Sequence, residues 1–159
     1  MEKYKIEVKW AMIFLAMQLL WMLMERLVGL HGTHIDKHMI FTNFMAIPAI
    51  TVYVFALRDK RQTCYGGTMT YKQGFISGLI ISLIVMIFSP ASQWIISTLI
   101  TPDYFANIIE YAVATGYLDR AAAEAQFNMK SYMIQGLIGA PIMGIVTSAI
   151  VAAFVKSKK

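Results

Sequence analysis

Charged residues are scarce in this chain: 14% of 159 positions, against about 25% in an ordinary soluble domain. Too few charges remain to coat a water-facing surface. Cysteine is scarcer still. Cys64 stands alone, which excludes an internal disulfide and suits a reduced compartment. The three histidines all fall between residues 31 and 38, outside the middle of any apolar stretch, which argues against a haem held by axial histidines inside a bundle. No His-Glu-x-x-His, Gly-x-Ser-x-Gly or Walker-type phosphate loop occurs. Gly66-Gly67-Thr68 lacks a following lysine and reads as a turn. There are no alternating segments of about ten residues, so a membrane β-barrel is excluded as well.

What the chain has in abundance is apolar sequence, 58% of its residues, with a mean hydropathy of +0.58. Four stretches approach the roughly 20 apolar residues that cross a bilayer core about 30 Å thick: about 10–30, 39–57, 74–94 and 132–155. Isolated spans must be helical, because hydrocarbon offers no partner for a backbone N–H or C=O. The expected fold is therefore all-α, a polytopic membrane protein with a bundle of four transmembrane helices, forming one membrane domain over 1–159. The first stretch ends in Trp21-Met22-Leu23-Met24-Glu25-Arg26 without a small-residue cleavage site, so it is expected to stay as a helix. The third apolar run, Tyr71 to Ile100, exceeds one straight crossing. It is expected to reach the interface near Ser92 and Trp94, to kink at Pro90, and to leave the membrane or lie on its surface beyond that point.

Residues 101–131 form the one sizeable extramembrane piece, read as an amphipathic helical hairpin resting on the membrane or on the bundle. Thr101-Pro102-Asp103 reads as a cap, a first-position proline and a first-turn acid. Phe105, Ile108, Ile109, Ala112 and Val113 share one face, Gly116 ends the first helix, and Asp119 caps a second through Glu124.

Net charge is +5, from 14 basic and 9 acidic residues. The basic residues flank apolar runs in short clusters, which fits topological anchoring and not nucleic-acid binding. Lys3, Lys5, Lys9, Arg58, Lys60, Arg61, Lys72, Lys156, Lys158 and Lys159 fall on one side, and only Arg26, Lys37, Arg120 and Lys130 on the other. Ten against four places both termini in the cytoplasm of an inner-membrane protein with the hairpin outside.

Glu25 and Arg26 sit about one turn inside the outer boundary. Two readings stand: an interfacial charge pair that snorkels, or a buried acid that binds a cation or relays protons. His31, His34 and His38 form H-x2-H-x3-H with Asp36 among them, and on a continuous helix three imidazoles on one face would suit zinc or copper. Gly29 and Gly32 interrupt any such helix, so the histidines read as interfacial and no metal or cofactor is assigned. Gln18, Asn43, Gln93 and Gln135 are expected to hydrogen-bond between helices. Small residues recur every fourth position at Gly74, Gly78 and Ser82, and again at Gly136, Ala140, Gly144, Ser148 and Ala152. That spacing puts each set on one helix face, for a close seam between spans three and four or for a homodimer. Depth matching pairs Gly74 with Ala152, Gly78 with Ser148 and Ser82 with Gly144.

The order of these features resembles a bacterial membrane family, domain of unknown function 4199. The likeness rests on Tyr71-Lys72-Gln73-Gly74-Phe75-Ile76-Ser77-Gly78, on Thr101-Pro102-Asp103-Tyr104-Phe105, and on a last span opened by Tyr132 and Gln135. It implies a four-helix inner-membrane protein of Bacteroidetes-type bacteria and transfers no catalytic residue. The expected role is a non-enzymatic scaffold or subunit whose partners are the lipid bilayer and either copies of itself, in a homo-oligomer, or other membrane subunits. The alternative is a small oligomeric transporter with Glu25 as coupling acid.

Overall fold

The computed structural model describes residues 4–157; Lys3, Lys158 and Lys159 of the basic tally lie outside them. The described residues are helical, in the order α1 (Lys5–Leu27), α2 (Ile35–Phe41), α3 (Ala46–Tyr65), α4 (Tyr71–Ile95), α5 (Tyr104–Ala114), α6 (Arg120–Gln126) and α7 (Met129–Val155). A 3₁₀ turn, Thr42–Met45, joins α2 to α3, and a π-helical turn, Ile96–Ile100, prolongs α4. Four continuous helical stretches, Lys5–Leu27, Ile35–Tyr65, Tyr71–Ile100 and Met129–Val155, are long and apolar enough to cross a membrane. The fold is an all-α bundle.

Two expectations about the ends need correction. The third helix does not end near Ser92 and Trp94: Pro90 lies inside it, and helical structure runs on to Ile100. The π turn leaves carbonyls unpaired at its end, and the Arg26 guanidinium on α1 donates to those of Leu99 and Ile100. The hairpin helix begins later than Thr101-Pro102-Asp103 implies. Those residues form a turn in which the Thr101 N–H reaches the Ile96 carbonyl at 2.7 Å, leaving Asp103 at the cap position with no side-chain cap bond. Its buried face is Tyr104, Ile108 and Ala112, flanked by half-buried Phe105, Ile109 and Val113. Gly116 turns the chain at φ +70°, and Asp119 caps α6 by accepting from the Ala122 N–H at 2.8 Å.

The most extensive packing joins α4 to α7. Small residues let the backbones approach, since lipid gives little hydrophobic drive for helices to associate. Gly74 faces Ala152, Gly78 faces Ser148, Gly144 faces Ser82 and Gly136 faces Ser89. Ser82 donates to the Gly78 carbonyl at 2.9 Å, so the Tyr53 hydroxyl, 2.7 Å away on α3, is left to donate to Ser82. This bond links α3 to the seam. The amides do something other than expected: Asn43 donates to the Met39 carbonyl and Gln93 to Ser97, each within its own helical stretch. Gln18 and Gln135 line a cavity of about 370 Å³ between α1, α3, α4 and α7.

The two ends of the bundle are closed differently. At the end that carries the termini, the Ser157 N–H reaches the Met69 carbonyl and the Met69 N–H reaches Ser157 Oγ, both at 2.9 Å, while Arg61 donates to the Val155 carbonyl. The loop after α3 turns through Gly66 and Gly67 at φ +56° and +88°. At the opposite end, α5 covers the turn between α1 and α2.

Candidate cation site at the hairpin end

The inward face of α1 is set by its spacing. Residues 7, 11, 15, 18, 22 and 25 lie at intervals of three and four, and Glu7, Ala11, Leu15 and Glu25 on that stripe are buried. Glu25 is 0% exposed, two residues before the helix ends. A carboxylate placed there must find partners or lose its charge. Trp21, one turn earlier on α1, donates its indole Nε1–H to Glu25 Oε1 at 2.7 Å.

The chain then folds back on itself. Gly29, at φ +82°, permits a tight turn over residues 28–34, tied by the Leu30 N–H to the Glu25 carbonyl and by the His34 N–H to the Gly29 carbonyl, both at 2.9 Å. This turn brings His31 Nε2 to 3.1 Å from Glu25 Oε2. His38, on α2, presents Nδ1 to the same oxygen at 3.7 Å. Both imidazoles are buried. The hairpin closes the site: the Tyr104 ring packs against both rings with centroids 5.1 and 5.2 Å away, and Asn107 donates to the His31 carbonyl at 2.8 Å. Burial, reinforced by Tyr132 and Glu25, pushes the Tyr104 hydroxyl well above the ordinary tyrosine range, so it stays protonated against Tyr132 Oη at 3.1 Å.

The structure thus gathers Glu25 with two of the three histidines, and separates the rest. His34 and Asp36 are exposed, and Arg26 turns away to the end of the π turn. Glu25 and Arg26 therefore do not behave as the interfacial pair that their adjacency allowed.

DUF4199, a family described as a protein of unknown function, matches residues 9–157. The chain belongs to this family. Neither a curated protein nor a solved structure matches it. The matched region contains all four long helices from Lys9 onward and every residue of the Glu25 site in this DUF4199 protein.

A second buried acid in this DUF4199 protein escaped the sequence reading. Glu7 is 1% exposed at the terminus end, where Lys60 Nζ approaches Oε1 at 2.8 Å and Ser77 Oγ donates to the same oxygen at 2.8 Å. Lys60, counted in the sequence as an anchoring charge, is buried instead. The signal was present: Glu7 and Glu25 are 18 residues apart, five full turns, so one face of α1 carries both acids.

Proposed function

We propose that this is a non-enzymatic, multi-pass protein of the cytoplasmic membrane, with both termini inside, that binds a cation at Glu25 on its outer side. The orientation rests on the ten-to-four basic imbalance. The single observation that carries the function is a fully buried carboxylate facing two buried imidazoles under an extramembrane hairpin. Acids at membrane depth are costly and mark ion or proton sites. Glu25 at 0% exposure and His31 at 4% are closed to an organic substrate, which supports ion binding over catalysis. Lipid is the partner this reading needs, since every residue of the site lies within one chain.

Trp21 reports on the site because its indole donates to Glu25. In the reconstituted protein, Trp21 emission, taken as the difference from Trp21→Phe, should respond to acidification or to added cations, and Glu25→Gln should abolish the response. Emission indifferent to both, with a protein subunit copurifying from native membranes, would overturn the cation reading in favour of a scaffold.

A second reading, a small oligomeric transporter, is favoured by Glu7. Two buried acids on one face of α1, one near each end, would give a cation a station on both sides of the membrane. Four helices surround a pathway poorly alone, so this reading requires self-association.

A further inference from the structure

Resting on the proposed cation site, the geometry points to its ligand class: a divalent transition metal ion of the Zn²⁺ type, held by Glu25 Oε2, His31 Nε2 and His38 Nδ1 with one position left for water. Four ligands at the usual Zn–N and Zn–O lengths of about 2.0–2.1 Å stand roughly 3.3 Å apart on a tetrahedron. The His31–Glu25 and His38–Glu25 separations of 3.1 and 3.7 Å bracket that value. All three ligand atoms lie within 4.8 Å of one another.

The second, independent observation is unsatisfied hydrogen bonding. His38 Nδ1 is buried, aimed at the carboxylate, and has no hydrogen-bond partner; His31 Nδ1 is buried and likewise unpartnered. Buried polar atoms seldom remain in this state. A metal answers the first of these. It takes the free lone pair of His38 Nδ1, and it takes His31 Nε2 once the ring proton moves to the vacant Nδ1, a tautomer change that releases no proton from a neutral ring. Trp21 acts as a positioning residue, fixing the other carboxylate oxygen as outer partners of metal ligands do.

The donor set selects the ion. Two imidazoles and one carboxylate suit Zn²⁺ and its neighbours in the first transition row, not Mg²⁺ or Ca²⁺, which prefer all-oxygen shells, nor Cu⁺, which prefers thiolate. This differs from the three-histidine helix face that the sequence spacing presented. The acid replaces His34, and a turn replaces the helix.

The test is titration of the purified full chain in lipid nanodiscs with CoCl₂, a coloured stand-in for Zn²⁺. One Co²⁺ per chain should bind with the visible absorption of a four-coordinate site, be displaced by Zn²⁺, and ignore Mg²⁺. His38→Ala should weaken binding by at least about 100-fold and Trp21→Phe by about 10- to 100-fold, whereas His34→Ala should leave it unchanged. His38→Cys should keep the ion and add a thiolate-to-cobalt charge-transfer band, a signature that a structural role could not produce. Absence of the cobalt spectrum, or its persistence in His38→Ala, overturns the metal assignment. If Trp21 emission still follows pH when no metal binds, the cation reading survives with the proton as ligand; if it follows neither, both fall.

Discussion

Alanine substitution at each glycine of α4 and α7 should produce a graded series whose order the seam dictates. At Gly139 an added Cβ meets nothing within 4 Å, so only the intrinsic helix advantage of Ala over Gly remains, up to about 1 kcal/mol of stabilisation. At Gly144 the new carbon overlaps Oγ and Cβ of Ser82. Overpacking costs about 1–3 kcal/mol, and Ser82 cannot swing aside without losing its bond with Tyr53, worth about 0.6 kcal/mol within a membrane. Subtracting the helix gain of about 1 kcal/mol leaves a net loss of roughly 0.6–2.6 kcal/mol. Gly78→Ala overlaps Ser148, whose Oγ has no hydrogen bond to lose, so its cost should be smaller by about the value of that one bond. Gly74 and Gly136, where the nearest atoms lie at 3.0 Å (the Met69 methyl) and 3.3 Å (Ser89 Oγ), should be close to neutral. Unfolding free energies measured by steric trapping in bicelles would give the series directly. A Gly139→Ala loss equal to that of Gly144→Ala, or a silent Gly144→Ala, would refute the register of the two helices.

Glu7→Gln alone should cost about 3 kcal/mol by stranding buried Lys60, while the double variant Glu7→Gln with Lys60→Met should recover most of the loss; a double-mutant cycle without coupling would contradict the buried pair. Gly74→Cys with Ala152→Cys should crosslink within one chain, since a Cβ at Gly74 lies 3.3 Å from that of Ala152, close to disulfide geometry, and crosslinks between chains would assign the motif to a dimer. In intact cells an impermeant thiol reagent should spare exposed Cys64 and label a chain carrying Ala121→Cys; strong labelling of Cys64 would invert the topology.

How legible each part was depended on which physical signal carried it. Spans are legible because transfer into lipid demands a long apolar run, and the four-residue spacing of small residues sets the facing pairs Gly74–Ala152, Gly78–Ser148 and Gly144–Ser82 because helix geometry alone fixes which residues share a face. Asp119 and Gly116 were readable as cap and stop for similar local reasons. The site was half readable. Glu25 and the histidines stood out as polar groups near the membrane, but their joining depends on the turn at Gly29 folding His31 back by six residues, and on α2 delivering His38 from the far side. No periodicity encodes that return. The helical run through Ile100 was hidden for a different reason: Arg26 caps the π turn from another helix, a partner that local sequence does not announce.

In water an apolar stripe tells a helix which way to face; in lipid it tells it almost nothing, because the surroundings are as apolar as the core. α1 shows what replaces it. Its residues are apolar nearly all round, and leucines and methionines at 12, 20, 23, 24 and 27 face outward as readily as Leu15 faces in. A rotation by one residue, about 100°, would change its apolar burial little, but it would swing Glu7 away from Lys60 and Ser77, and Glu25 away from His31 and His38. Removing one partner from a buried charge pair costs about 3–5 kcal/mol, and here both ends of the helix would be affected together. The 18-residue interval thus locks the rotation of α1 at two points, against α3 and α4 at one end and against α2 and its preceding turn at the other. The same buried carboxylate that orients the helix is the one that meets the imidazoles, so the group that specifies the fold at the hairpin end is also the group that forms the site.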